Sequence, residues 1–315
     1  MFIVTNHIYM YRGVKMSEKK IGGLLIVISA VCFGAIPIFA KCAYSSGANF
    51  ITVLFFRFLI SSIILWSIIL FNRYPFKLKG KKILSLFILG GLGYFVMSAT
   101  LFASLNYIPA SMSTLILYIY PVIVCILDIW LKKSESFSLK KLVPLALALL
   151  GLWFMLSGSF KELNYYGILL AFVAAFSYAI YISAGDMVSK GIDSFVSSAY
   201  IIASSAVSFA VFGVLTRSFN VSFKLYGWWG ILGLVLFSTI IAINTFFAGM
   251  KLVGSTNTSI ISMIEPVVTV VLAAVFLNER LNIIQYFGGG LILAGALLVI
   301  YQSTNTKREG TSCEH

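Results

Sequence analysis

Ten runs of apolar residues, most close to twenty residues long, take up nearly all of this chain. They cover about 21–41, 50–71, 83–106, 111–131, 142–157, 165–185, 195–217, 228–250, 256–277 and 283–301. A helix of about 20 residues crosses the ~30 Å hydrocarbon core of a bilayer. The runs are continuously apolar, without the alternation of barrel strands, so they predict helices. The fifth run is short. Lys, Arg, Asp and Glu make up 10% of the 315 residues, where a soluble domain carries roughly a quarter. So few charges cannot cover a soluble fold of this size, which excludes a soluble enzyme, a secreted disulfide scaffold and a disordered chain. The expected fold is an all-α integral membrane protein with ten transmembrane helices.

The formal charge of +13 would suggest a nucleic-acid partner in a soluble chain. Here topology accounts for it. Seventeen of the 23 Lys and Arg residues fall in the segments on the N-terminal side of the membrane, five fall on the other side, and Arg57 alone lies inside a run. Basic residues collect on the cytoplasmic side, so both termini are expected in the cytoplasm of a multi-pass cell-membrane protein, with no nucleic-acid partner. Residues 1–15 are too short for a span and lack a clear signal-peptide cleavage site, and Met16 is read as the biological start. Cys32, Cys42, Cys125 and Cys313 have no metal-like spacing and are read as packing residues. His7 and His315 sit at the termini, so no metal or cofactor site is expected.

A shift of 144 or 145 residues superposes the two halves of the chain. Gly23-Leu24-Leu25 meets Gly167-Ile168-Leu169, and Ser46-Gly47-Ala48-Asn49 meets Lys190-Gly191-Ile192-Asp193. Tyr120-Pro121-Val122 meets Glu265-Pro266-Val267, and Gly151 meets Gly295. Pro121 and Pro266 are read as the only prolines deep within spans, each kinking its helix. Five helices per half is an odd number, so the second half enters the membrane from the opposite side. Inverted repeats of this kind recur in secondary transporters, with a central site between the halves. The expected division is a cytoplasmic segment 1–20, a first repeat 21–158, a second repeat 164–301 and a cytoplasmic tail 302–315.

At these residues the chain resembles the drug/metabolite transporter superfamily, in its EamA-type branch of ten-helix carriers. The resemblance rests on Phe33-Gly34-Ala35-Ile36-Pro37 ahead of Lys41, on Arg57-Phe58, and on Tyr120-Pro121 and Glu265-Pro266. It also rests on Leu277-Asn278-Glu279-Arg280-Leu281, followed by Gln285 and Gly288. The first half departs from that last turn: Lys132-Lys133-Ser134-Glu135-Ser136-Phe137 keeps the acid but not the leucine spacing. The resemblance covers about residues 22–301. It implies two bundled five-helix repeats around a central cavity. It also implies alternating access and the outward movement of small metabolites such as amino acids or amphipathic compounds.

Ionisable groups at mid-membrane cost at least ~2.5–3.5 kcal/mol on insertion scales, so each calls for an explanation. Glu265 precedes Pro266 near the centre of the ninth run. It reads either as a carboxylate that binds a substrate ammonium or a proton, or as a carboxyl held by Thr258, Ser259 and Ser262 to fix the proline kink. Arg57 reads either as a partner for a substrate carboxylate or as a structural tie between repeats, and the second is preferred. Lys41 either guards an exit vestibule or snorkels to the interface. Asp128 is expected to pair with Lys132, one turn along. Tyr94, Tyr118, Tyr120, Tyr178 and Tyr181 lie in runs whose family counterparts face the cavity, and tyrosine suits amphipathic substrates and cations. Each is equally readable as core or belt. Asn244 adds an amide at depth and Asn106 one near the outer end. Tyr165, Tyr166, Trp228, Trp229 and Tyr301 read as interface anchors. Gly90, Gly91, Gly93 and Gly288–Gly290 read as close-packing positions.

The leading function is therefore a secondary transporter of a small-molecule substrate, set in the lipid bilayer. Proton coupling and a homodimer are the further partners this reading admits. No phosphate-binding loop is present in the sequence, which removes direct ATP drive by this chain. An intramembrane enzyme would need paired acids, a zinc motif or a nucleophile dyad, and the runs hold none. A channel would need a filter loop or charge ring. A non-transporting scaffold remains the alternative.

Overall fold

The computed structural model describes residues 17–104, 107–108, 113, 116–132, 139–156, 164–277 and 283–310. Residues 1–16, Asn106, Cys313 and the turn at 278–282 lie outside these. In the first half, α1 (Glu18–Gly34) and α2 (Ile36–Ser45) make one interrupted rod, and α3 (Phe50–Phe71) returns. A third rod runs through α4 (Gly80–Ile88), a π-helical turn π1 (Leu89–Tyr94) and α5 (Phe95–Ser104). It is followed by α6 (Tyr120–Lys132) and α7 (Leu139–Leu156). The second half holds α8 (Tyr165–Val188) and α9 (Ser194–Leu215), then α10 (Gly227–Val235), π2 (Leu236–Ile241) and α11 (Ala242–Val253) as one rod. It ends with α12 (Ser255–Ile261), α13 (Ile264–Leu277) and α14 (Ile283–Gly310).

Among the described residues, eight of these rods are long and apolar enough to cross a membrane. The fourth and fifth predicted runs appear as the shorter apolar helices Tyr120–Trp130 and Leu142–Phe154. Large apolar side chains such as Leu24, Ile63, Phe71, Trp130 and Leu215 point outward, whereas Ser29, Thr52, Ser61, Ser197 and Thr258 are buried. Polar groups inside and apolar ones outside suit a hydrocarbon solvent and not water. This is a multi-pass membrane protein.

The matching turns seen in the sequence have a structural cause. Gly47 and Gly191 both adopt positive φ, at 98° and 73°, where a side chain would be strained. Two residues on, Asn49 Oδ1 accepts from the Thr52 N–H at 2.9 Å and Asp193 Oδ1 from the Phe195 N–H at 2.8 Å, capping α3 and α9. The far ends of those helices also match. Arg73 and Arg217 are the two non-glycine residues of positive φ among the described residues. In each case the following N–H reaches back to a helix carbonyl, Tyr74 to Ile69 and Ser218 to Gly213, both at 3.0 Å.

Packing repeats the same exchange. α1 lies on α11 as α8 lies on α5, α3 lies on α9, α7 on α14, and α13 on α1 as α6 on α8. Replacing every element by its counterpart in the other half returns the same set of pairs. At the α7–α14 contact a Cβ on Gly151 would fall 2.4 Å from the Gly288 carbonyl oxygen, and one on Gly295 would fall 2.6 Å from that of Pro144. Pro144 itself lies inside α7, and Pro37 opens α2, so Pro121 and Pro266 are not alone within spans. The predicted glycine roles divide. Gly90 and Gly91 face close neighbours, whereas Gly290 faces open space, and Gly93 and Gly289 have only ordinary contacts. Tyr165, Tyr166, Trp229 and Tyr301 are exposed, but Trp228 turns inward, with ring centroids 5.1 Å from Phe56 and 5.4 Å from Phe223.

The two ends of the bundle are separately tied. At one end, which carries Lys77, Lys79, Lys81, Lys82, Lys190 and Lys251 and is here named the basic end, Lys82 Nζ donates to the Lys190 carbonyl at 3.3 Å. Lys251 Nζ donates to the Ile192 carbonyl and to Ser194 Oγ. At the opposite end Asn49 Nδ2 donates to the Ser218 carbonyl at 2.5 Å. Asp128 Oδ2 accepts from Ser255 Oγ and, at 2.8 Å, from Thr256 Oγ1 at the start of α12. The side chain of Lys132 lies outside the described residues.

Candidate functional site

Two helices begin inside the bundle and not at its ends. α12 stops at Ile261, Ser262 and Met263 form a turn, and α13 starts at Ile264 with Glu265 and Pro266 in its first turn. α6 likewise starts at Tyr120 with Pro121 next, after a turn at Tyr118 and Ile119. The prolines therefore open half-helices, where a missing N–H costs nothing, and do not kink continuous ones. Breaks of this kind leave backbone polar groups free at membrane depth. Here the Ser262 carbonyl accepts from the Glu265 N–H at 3.0 Å. Glu265 also sits at the positive end of its helix dipole, which favours its charge.

The Tyr120 hydroxyl donates to the Ser259 carbonyl at 3.3 Å. The five tyrosines form one chain of rings. Centroid separations are 5.6 Å from Tyr118 to Tyr120, 4.6 Å from Tyr120 to Tyr178, 6.0 Å from Tyr178 to Tyr181 and 5.3 Å from Tyr181 to Tyr94. Phe58 closes the chain beyond Tyr94 at 5.6 Å, and Phe247 flanks Tyr181 at 6.1 Å. Tyr94, Tyr118, Tyr120 and Tyr181 are buried, whereas Tyr178 and Glu265 are only partly covered. These two are the accessible members of the cluster.

Arg57 is 3% exposed. Its Nε donates to Thr239 Oγ1 at 2.7 Å and its Nη2 to the Ser238 carbonyl at 2.6 Å. The guanidinium carbon lies 5.1 Å from the Phe58 ring centroid. Arg57 acts electrostatically on Glu265, yet among the described residues the two form no ion pair. The π turn exposes Ser238 and Thr239 to Arg57, because i→i+5 bonding displaces carbonyls from the regular ladder.

Structure thus brings together Glu265, Ser262, Arg57 and the five tyrosines, with Pro121 and Pro266 as the first-turn residues that present them. It leaves two candidates outside. Lys41 is exposed on α2, towards the end of the bundle opposite the basic one. Asn244 is buried on α11, where Nδ2 donates to the Ile240 carbonyl at 2.6 Å and Oδ1 has no partner among the described residues. Sequence reasoning passed over Ser238 and Thr239, whose roles come from a π turn that leaves no local residue signal. It also passed over Asp186, which is buried in α8.

The arrangement offers one carboxylate beside a wall of tyrosine faces, which is equipment for holding a small polar or cationic group within a membrane protein. An uncharacterized transporter of Bacillus subtilis, YcbK, is 27% identical over 289 residues, covering 88% of this chain and 91% of that protein. An uncharacterized transporter of Archaeoglobus fulgidus is 26% identical over 283 residues, covering 89% and 96%. A solved crystal structure shares the fold with a TM-score of 0.78 at 17% identity, covering 90% of this chain and 98% of that one. The family model for the EamA-like transporter family matches twice, over residues 20–157 and 165–301. With both halves matched and the interrupted helices facing one another, the chain belongs to the EamA-like transporter family.

Proposed function

We propose that the chain is a secondary transporter that moves a small metabolite by alternating access, with Glu265 as the binding or coupling carboxylate. In this reading ten helices span the cell membrane as two inverted repeats, 21–158 and 164–301, with both termini cytoplasmic and protons as the coupling ion. Transport runs outward, and the substrates are amino acids or amphipathic compounds. The observation that carries the reading is the placement of Glu265, a partly accessible carboxylate in the first turn of a half-helix that begins inside the bundle. Interrupted helices at the repeat interface are where carriers of this plan bind substrate.

Support for inversion comes from the paired turns at opposite ends of α3 and α9 and from packing that survives exchange of the halves. Support for alternating access comes from Asp128, which joins α6 to α12 and so holds those two elements together at the basic end. The test is tracer uptake into liposomes loaded with the same unlabelled compound. Saturable counterflow is expected from the intact chain, and a folded Glu265→Gln protein is expected to lose it. Counterflow at the full rate in that variant would leave Glu265 with a structural role only.

A further inference from the structure

We infer that the Glu265 site takes an organic amine, an ammonium group on an apolar body without a carboxylate, in preference to an amino acid or an organic anion. This rests on the reading of Glu265 as a binding group.

The argument is one of charges already committed. A zwitterion needs a cation for its carboxylate as well as an anion for its ammonium. Among the described residues the buried cation of the cluster is Arg57, whose guanidinium carbon lies 5.1 Å from the Phe58 ring that packs on Tyr94. Its Nε and Nη2 donate to Thr239 Oγ1 and the Ser238 carbonyl, and the side chain is 3% exposed. Freeing it for a ligand would strand those partners inside the bundle, which a binding site avoids. The other described lysines and arginines lie at the ends of the rods, as Lys82 and Lys251 do, or are exposed, as Lys41 is. A carboxylate entering beside Glu265 would thus meet a like charge, with the guanidinium buried and tied to the second half of the chain.

An ammonium meets the reverse. Glu265 is a carboxyl group in the first turn of α13, with lone pairs that can accept from an ammonium. The other partly covered member of the cluster is Tyr178, whose ring stands 4.6 Å from Tyr120 and 6.0 Å from Tyr181. Tyrosine faces attract cations and cover apolar groups at the same time. Carboxylate and aromatic faces together select for positive charge.

The test uses three compounds with one phenyl body and different charge: phenethylamine, L-phenylalanine and 3-phenylpropionate. Each is added at pH 7.5 to the purified full-length protein, and the thermal unfolding midpoint and the dissociation constant are measured. Phenethylamine is expected to raise the midpoint and the other two to leave it unchanged. Glu265→Gln is expected to weaken phenethylamine at least tenfold. Where Glu265→Gln does not fold, Tyr178→Leu keeps the carboxylate and should weaken phenethylamine while preserving the order of the three compounds. Equal or greater stabilisation by phenylalanine or phenylpropionate overturns the inference, as does stabilisation by none, or phenethylamine binding unchanged in Glu265→Gln. Counterflow separates this from the transport reading. Saturable phenylalanine exchange without phenethylamine binding keeps the carrier and removes the amine. Phenethylamine binding that depends on Glu265, with no flux of any compound, keeps the site and removes the carrier.

Discussion

Arg57 in the first half of the chain donates through Nη2 to the carbonyl of Ser238 in the second half at 2.6 Å. With the 2.7 Å bond from Nε to Thr239 Oγ1, this makes a forked tie from α3 to π2. A planar guanidinium with five donors in fixed geometry suits such a tie, and an ammonium does not.

Arg57→Ala should therefore lower the yield of folded protein as well as transport. Hydrogen bonds to charged groups are worth about 1.5–3 kcal/mol, and buried partners left without one add their own cost. Arg57→Lys should recover only part of the loss, because one ammonium cannot make the fork. Size-exclusion yield in detergent, measured beside counterflow, checks this. Normal yield with lost transport would move Arg57 from the scaffold to the substrate site.

The π turn on the other side gives a second expectation. A Cβ on Gly90 would fall 2.2 Å from the Ile201 carbonyl oxygen and 2.3 Å from Ser204 Oγ. The Gly90 carbonyl also accepts from Ser205 Oγ at 3.0 Å, and that of Gly91 from Ser208 Oγ at 2.7 Å, so π1 is fixed to α9. Overpacking of this sort costs typically about 1–3 kcal/mol, and here backbone must move. Gly90→Ala should lower the thermal midpoint, whereas Gly290→Ala, which meets open space, should leave it unchanged. Equal midpoints for the two would contradict the contact.

How much of this was legible beforehand depends on what each feature is made of. The repeat was readable because its matched residues do the same work: Gly47 and Gly191 turn the chain, and Asn49 and Asp193 cap the next helix. The tyrosines and Glu265 were readable as candidates because polar groups stand out in apolar runs. That they form one chain of rings was not, since ring contacts cross between π1, α6 and α8. The partners of Arg57 were hidden for a different reason. A π turn is set by packing, and Leu236–Ile241 carries no glycine or proline to announce it. Pro121 and Pro266 were placed correctly but given the wrong local effect, because a proline opening a helix and one kinking it have the same sequence.

Asp128 supplies the expectation for the basic end. It joins α6 to α12 through Ser255 and Thr256, directly after Gly254, whose φ is +81°. Losing charged hydrogen bonds worth about 1.5–3 kcal/mol should raise the open population at that end at least about tenfold. The readout is the rate at which a soluble thiol reagent labels Asn257→Cys on a background with the native cysteines replaced. Labelling should be faster in Asp128→Ala. An unchanged rate would mean that the contact does not govern opening.

The last expectation concerns protons. A carboxylate that holds an ammonium cannot do so while protonated, so one group at Glu265 makes proton and amine competitors. Phenethylamine binding should weaken as pH falls, and the dependence should vanish in Glu265→Gln together with most of the affinity. In liposomes an acidic compartment should draw the amine towards itself as protons leave, since each Glu265 carries one passenger at a time. A control with a membrane-permeant buffer that collapses the gradient removes the drive without touching the site. Binding that is flat with pH in the intact protein would separate the amine from the proton, and coupling would then belong to another group, with Asp186, buried in α8, the first to examine.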